Sequence, residues 1–344
     1  MIENKCVLPF ISYDHQANSP CCTLVKYDDE KDRSELITDH IGNKKSRFCE
    51  RCWKAEEVEG IESKRQQYNR LYKQYEKQTH HDVKLKVIPV GNVCNLSCIT
   101  CHPDVSTGWF KKYNFMNNTK LKYTVEQNIQ TEDVKDVNGV EHIEFIGGET
   151  LQSQSLWNYL KIMDKNVSFS LQTNGTVILT QEQIDLLNTF QTFNICFSID
   201  GYDKIFEYIR QPAKWQSTVS NIKRYAEFFG RKRLSYYTTV NNLNIFYIDT
   251  IVLELFKVLP IAPDLNFVHW PAELSHNNLP LELGKIVEAR NPGFFKKRKI
   301  NWTGTKSSLQ RTISNLAKQD EFSGLEFSDH LPEVYQMIND FVKK

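Results

Sequence analysis

Three features of the sequence predict an α/β fold with a parallel sheet. Short segments rich in β-branched and aromatic residues recur between residues 83 and 270. Helix-patterned segments separate them, and most of the strand-like segments end at Gly, Asn or Asp, residues suited to turns. Strands alternating with helices make βαβ units, whose crossovers lay successive strands parallel. Six such units favour a barrel, complete or incomplete, over an open sheet, and parallel barrels carry their chemistry at the C-terminal strand ends.

In chain order, residues 1–53 are turn-rich and cysteine-bearing, and read as a small unit of their own. Residues 54–78, KAEEVEGIESKRQQYNRLYKQYEKQ, read as a long polar helix with Gly60 as a break, within a linker spanning 54–82. The barrel, 83–270, opens on VKLKVIPV (83–90). Its later strands are HIEFIGG (142–148), SFSLQTNG (168–175), FNICFSID (193–200), LSYYTTVN (234–241) and LNFVHW (265–270). Helices are expected at 151–164, 181–191, 215–229 and 245–259. In the second, Ile184, Leu187 and Phe190 share a face behind Thr180 as N-cap, and Gly230 caps the third. The extension 271–344 ends in a helix with Leu331, Val334, Tyr335, Ile338, Phe341 and Val342 on one side and Ser328 or Asp329 as cap.

Composition narrows the function class. The chain has 344 residues, 40% apolar and 25% charged, and a net charge of +1, so no basic field drives bulk nucleic-acid binding. No apolar run approaches the roughly 18–20 residues of a membrane span, and MIENKCVLPF is no secretory signal, so a cytoplasmic protein is expected. There, nine cysteines point to metal binding or catalysis rather than disulfides. Cys196, in the apolar run NICFSID, reads as a buried small hydrophobe.

The loop after the first strand, GNVCNLSCITCHPD (91–104), places Cys94, Cys98 and Cys101 at C-x3-C-x2-C spacing. A closed [4Fe–4S] cluster needs four thiolates, so three leave one iron open to a ligand. A bare spacing of this kind also fits zinc. This pattern after a first strand resembles the radical S-adenosylmethionine enzymes, and the resemblance runs over roughly 83–270, about half the chain. It implies a partial (β/α)6 TIM-like barrel, a [4Fe–4S] cluster on the three cysteines, and bound S-adenosylmethionine. GGET (147–150) resembles the family's GGE motif, which implies that Gly147, Gly148 and Glu149 meet the amino group of the cofactor. Thr173 and Asn174 end the third strand, where polar contacts are implied. Ser198 and Asp200 of SIDG match positions contacting ribose or carboxylate, and Arg210 is implied as partner of the carboxylate. Thr100 departs from the aromatic residue usual before the third cysteine. Trp109, or the backbone near Val240 and Val268, is then expected to hold adenine. The implied reaction is reductive cleavage of S-adenosylmethionine, giving a 5′-deoxyadenosyl radical that abstracts a substrate hydrogen. Flavodoxin or ferredoxin is the implied electron donor.

The remaining cysteines suffice for a second, closed site: Cys6, Cys21 or Cys22, Cys49 and Cys52. CVLPFISYDHQANSPCC and FCERCWKAEEVEG resemble the SPASM/twitch auxiliary domains. That resemblance implies Cys6, Cys21, Cys49 and Cys52 as ligands of one auxiliary [4Fe–4S] cluster, with Cys22 a neighbour. Two features depart from it: the unit precedes the barrel, and Asn18 stands where a turn glycine is common, although Asn tolerates a left-handed turn. A four-thiolate zinc site fits the same residues.

The substrate is expected to be a small molecule, a sugar, aminocyclitol or nucleotide, because no winged-helix leader-peptide module stands before the barrel. The alternatives are a peptide or protein side chain, RNA met by the basic run at 296–299, or a non-enzymatic iron–sulfur or zinc scaffold. Asn241, His269 and Glu273 are candidate substrate contacts; His102, beside the third cysteine, has a shielding or substrate role or none.

Overall fold

The computed structural model describes residues 4–15, 18–28, 30–59, 61–126, 129, 137–296 and 298–344. Its centre is one sheet of seven parallel strands in sequential order, curled into a half-barrel. The strands are β1 Ser12–Asp14, β2 Leu85–Pro89, β3 His142–Ile146, β4 Ser168–Thr173, β5 Phe193–Ser198, β6 Leu234–Val240 and β7 Asp264–Phe267. Sequential order with parallel neighbours means each crossover turns the same way, which puts the crossover helices on the convex face. Among the described residues β1 and β7 do not pair, so the barrel stays open.

Strand alternation sorts the side chains by face. Ile143 and Phe145 of β3, Phe169 and Leu171 of β4, and Ile195 and Phe197 of β5 are fully buried on the convex face. They meet Leu156, Trp157, Leu187, Ile222 and Tyr225 of the crossover helices in one core. Each such burial contributes about 1.5–3 kcal/mol, so this face holds the sheet together. The helices fall where periodicity put them: Gln154–Ile162, Gln181–Asn188, Trp215–Phe229 and Ile248–Val258. Thr180 caps the second through a full capping box with Gln183.

Four sequence expectations need correction. A seventh strand, β1, comes from the N-terminal segment, where Ser12 pairs with Leu85 and Asp14 with Val87. Three residues following a helical turn carry too little pattern to be read as a strand. The polar stretch is not one helix: Glu50–Lys54 runs into a π-helical turn at Ala55–Glu59, and a new helix, Lys64–Leu71, starts under a Ser63–Gln66 capping box. Gly60 lies outside the described residues. The C-terminal helix Pro332–Lys343 starts after Leu331, because Pro332 fits its first turn, so neither Ser328 nor Asp329 caps it. Cys196 lies on the concave face and is only half buried, so it lines the interior rather than filling the core. Asn18 does adopt the left-handed conformation, at φ 47°, closing the turn that brings Ser19 back to Asp14.

On the concave face, His142 is held between the hydroxyls of Ser168 (2.8 Å) and Ser170 (3.2 Å). Burial lowers its pKa to about 4 from an ordinary 6.5. Below pH 6.5 the unfolded chain takes up a proton that the folded chain refuses until about pH 4, so stability falls with pH across that window. The loss is up to roughly 3 kcal/mol. His142→Gln is expected to flatten the acid limb of a urea-unfolding profile between those pH values, and an unchanged limb refutes the assignment.

Candidate functional site

The cysteine loop leaves β2 at the C-terminal edge of the sheet and is fixed by its own carbonyls. Ser106 Oγ donates to Leu96 O (2.8 Å), Lys112 Nζ to Ser97 O (3.0 Å), Trp109 Nε1 to Cys98 O (2.8 Å) and Gln319 Nε2 to Ile99 O (3.3 Å). Four consecutive carbonyls thus each accept from a buried side chain, each bond worth about 1 kcal/mol. Two loop amides are also tied down, Ser97 N to Gln211 O (2.7 Å) and Ile99 N to Ile209 O (2.9 Å). Trp109 is therefore a buried brace, with Lys112 Nζ 4.7 Å from its ring centroid, and offers no open face to an adenine.

The glycine pair after β3 lies directly on this loop. Gly148 N donates to Gly91 O (3.0 Å) and Glu149 N to Val93 O (2.7 Å). A Cβ on Gly147 would stand 2.4 Å from Gly91 O, and one on Gly148 2.3 Å from Val93 O. Glu149 is buried, and its carboxylate accepts from Thr173 Oγ1 (2.7 Å), Asn174 N (2.7 Å) and Leu151 N (3.2 Å). Burial nonetheless raises its pKa. Glu149, Thr173 and Asn174 thus lock the end of β3 to the end of β4, and Asn174 Nδ2 reaches Asn95 Oδ1 (2.9 Å) in the cysteine loop.

Across the mouth, Arg210 Nε donates to Asp200 Oδ2 (2.7 Å), and Thr239 N donates to Asp200 Oδ1 (2.7 Å). Asp200 is 0% exposed, so Arg210 is its charge partner in a dry place. Burial works against the Arg210 charge, but Asp200 and the nearby Cys98 and Cys101 hold it. Among the described residues only its Nε is engaged, leaving the terminal N–H groups for another acceptor. Ser198 is half buried on the concave face.

Burial raises the thiols of all three loop cysteines, Cys98 to about 11 and Cys101 to about 12, and each feels another's charge or that of Arg210. Among the described residues no three His, Cys, Asp or Glu side chains are grouped to hold a single metal ion. Three soft donors on one braced loop, facing a guanidinium, fit an iron–sulfur cluster with one iron left open.

In the N-terminal unit Cys6, Cys21, Cys49 and Cys52 are buried, and Cys6 is within electrostatic reach of each of the other three, while Cys22 is exposed. Thr23 Oγ1 bridges Cys21 Sγ (3.0 Å) and Cys52 Sγ (3.9 Å). These four thiols are the candidate ligands of a second site, with Cys22 hydrogen-bonded beside Cys21. Sequence reading missed buried His40, whose Nε2 lies 3.6 Å from Cys49 Sγ, because a lone His in a polar helix gives no signal.

Of the other candidates, Asn241 is buried and holds a turn by accepting from Leu243 N (2.9 Å) and Asn244 N (3.0 Å). Val240 and Val268 are buried and joined by a backbone bond (2.9 Å). His269 is exposed and Glu273 half buried. His102 packs edge-on against Trp270, with ring centroids 4.5 Å apart, and Trp270 is 59% exposed beside the mouth. The described residues of the basic run, Lys296, Arg298 and Lys299, are exposed; residue 297 lies outside the described ones. No helix among the described residues is long and apolar enough to cross a membrane.

No family model and no curated protein matches the chain. Among solved structures it is similar to Streptococcus suis SuiB bound to S-adenosylmethionine, at 13% identity over 63% of this chain and 49% of that one, TM-score 0.42. It is also similar to native anSMEcpe with bound AdoMet, at 21% identity over 70% and 62%, TM-score 0.37. A third is TYW1 with a lysine-pyruvate adduct bound, at 17% identity over 58% and 70%, TM-score 0.35. The chain spans about half the length of the SuiB chains it matches.

Proposed function

We propose that the chain is a radical S-adenosylmethionine enzyme. The observation that carries this reading is the braced loop of Cys94, Cys98 and Cys101 beside the half-free guanidinium of Arg210. When bound, a reduced cluster and S-adenosylmethionine supply one-electron cleavage of a sulfonium bond and removal of a substrate hydrogen. The thiolates of Cys94, Cys98 and Cys101 would hold the cluster and leave one position for the cofactor. Arg210 offers its terminal N–H pair to the cofactor carboxylate while Asp200 fixes its orientation. Glu149 acts as a positioning residue: with Thr173 and Asn174 it presents the backbone of Gly147 and Gly148 to the loop. Ser198 is the polar group left for the ribose.

Cys6, Cys21, Cys49 and Cys52 are assigned to one auxiliary cluster within residues 1–53, which also lend β1 to the sheet, followed by a linker to 82, a barrel to 270 and an extension to 344. Buried, oxidisable thiols of this kind suit a reducing compartment, the cytoplasm, with a flavodoxin or ferredoxin as electron donor. The reaction class is oxidation or rearrangement.

The test is anaerobic. Protein reconstituted with iron and sulfide is given S-adenosylmethionine and dithionite, and 5′-deoxyadenosine is quantified; none from a filled cluster, with or without cell extract, refutes the reading. Two variants refine it. Arg210→Lys is expected to weaken S-adenosylmethionine binding about tenfold, since a point charge replaces a fork. Equal binding by equilibrium dialysis removes Arg210 from the site. Cys49→Ala is expected to retain S-adenosylmethionine cleavage and lose substrate turnover, and full turnover makes the N-terminal metal structural only.

A further inference from the structure

The concave face of the sheet carries an unusual lining. Parallel barrels normally fill their interior with bulky branched residues. Here the interior positions of β3 to β6 include His142, Glu144, Ser170, Gln172, Ser198 and Tyr237, all at least partly accessible. The convex face of the same strands is closed and apolar apart from Thr173 and Thr238. A concave surface so lined is a polar, partly accessible chamber rather than a core.

The chamber has a built end. The helix Lys64–Leu71 projects two side chains toward the concave face. Tyr68 Oη donates to both oxygens of Glu144, at 2.9 and 2.8 Å. Lys64 Nζ donates to Cys22 Sγ at 3.1 Å and lies 5.1 Å from the Tyr68 ring centroid. Cys22 takes one of the three N–H donors of Lys64, and Glu144 is within electrostatic reach. The ammonium therefore keeps donors to spare, and the carboxylate keeps lone pairs to spare. Lys64 thus stands among acidic neighbours, Glu144 with Asp14 in electrostatic reach and the Cys22 thiol, beside the hydroxyls of Tyr68 and Ser170, and this mix reads a pattern of donors and acceptors rather than a net charge. Vicinal hydroxyls satisfy both at once, donating to Glu144 and accepting from Lys64.

Distance sets the size of the occupant. Glu144 stands three residues before Gly147 on β3, so the chamber end lies about 10 Å from the glycine turn that meets the cysteine loop. That span suits one sugar-sized molecule. We propose that Lys64, Tyr68 and Glu144 form the substrate subsite of the concave chamber and that its ligand class is a small, hydroxyl-rich polar molecule. This rests on the reading of the mouth as a radical enzyme's site.

Cys22 provides the test, because it is exposed and touches Lys64. Its alkylation by iodoacetamide, followed by peptide mapping on the full-length protein, is timed with and without myo-inositol, glucosamine or ribose, and with an alanine tetrapeptide. At least one polyol probe is expected to slow alkylation of the wild type. The ratio of protected to unprotected rates is expected to move about tenfold toward unity in Lys64→Met, and likewise in Glu144→Gln, each losing a charge-assisted bond. Tyr68→Phe serves as the milder variant should either fail to fold. No protection by any polyol, protection by the tetrapeptide alone, or equal protection in the variants overturns the subsite. Cleavage of S-adenosylmethionine by the same wild-type preparation separates the two readings. Cleavage without protection removes the subsite alone, and protection without cleavage removes the radical reading alone.

Discussion

Alanine at Cys98 is expected to abolish 5′-deoxyadenosine formation while the protein stays folded. Cys98 is the middle thiol of its loop and is buried. Its backbone position depends on the Trp109 bond to its carbonyl, not on its sulfur, so the loop keeps its course when the thiol is removed. Truncating one small buried side chain costs about 1 kcal/mol, far below what unfolds a domain of this size. On the proposed reading the chemistry has no such margin, since two thiolates would remain for a cluster that needs three. The variant should lose the iron and sulfide of one cluster, keep those of the N-terminal unit, and melt within a few degrees of the parent. Parent-level cleavage by this variant refutes the assignment of the loop. Loss of both clusters together reports coupled folding of the two units and leaves the loop unassigned.

The sequence was most legible where one residue type had one physical use. The three cysteines, the glycine pair and the alternating strands each carry a local signal, and each stands where its pattern put it. The crossover helices were legible because one side of each faces an apolar sheet, as Ile184 and Leu187 do. β1 was not legible, since its three residues pair with β2 only because the preceding helical turn delivers them there. The internal partners of Glu149 and Asp200 were equally hidden. A motif names the residue, but only packing shows that Thr173 and Asn174 take up one carboxylate, and Arg210 and Thr239 the other. The polar chamber was hidden for a different reason. His142, Glu144 and Ser170 look like the solvent side of half-buried strands until the curl of the sheet turns that side inward. Lys64 and Tyr68 belong to a helix that reads as a plain polar linker.

The glycine pair separates a structural need from a cofactor need. In Gly148→Ala the new Cβ would stand 2.3 Å from Val93 O and 2.7 Å from Val93 C, both backbone atoms of the cysteine loop. Neither can rotate away, so the loop must retreat by about 1 Å to restore ordinary contact. That retreat stretches the two bonds that join the turns, Gly148 N to Gly91 O and Glu149 N to Val93 O. Overpacking of this kind costs typically 1–3 kcal/mol. A shift of about 1 Å in a positioning element costs on the order of a hundredfold in rate. Gly148→Ala is therefore expected to lower the melting temperature by several degrees and 5′-deoxyadenosine formation by about two orders of magnitude. Gly230→Ala is the control. Its Cβ meets nothing within 4 Å, and its φ of 74° supplies backbone strain alone, remote from the loop, so cleavage should stay at the parent level. A Gly148→Ala protein with parent stability and iron content but weakened S-adenosylmethionine binding shows that the glycine serves the cofactor's approach rather than the contact between loops. Parent behaviour in both respects shows that the two turns do not meet as closely as 2.3 Å requires.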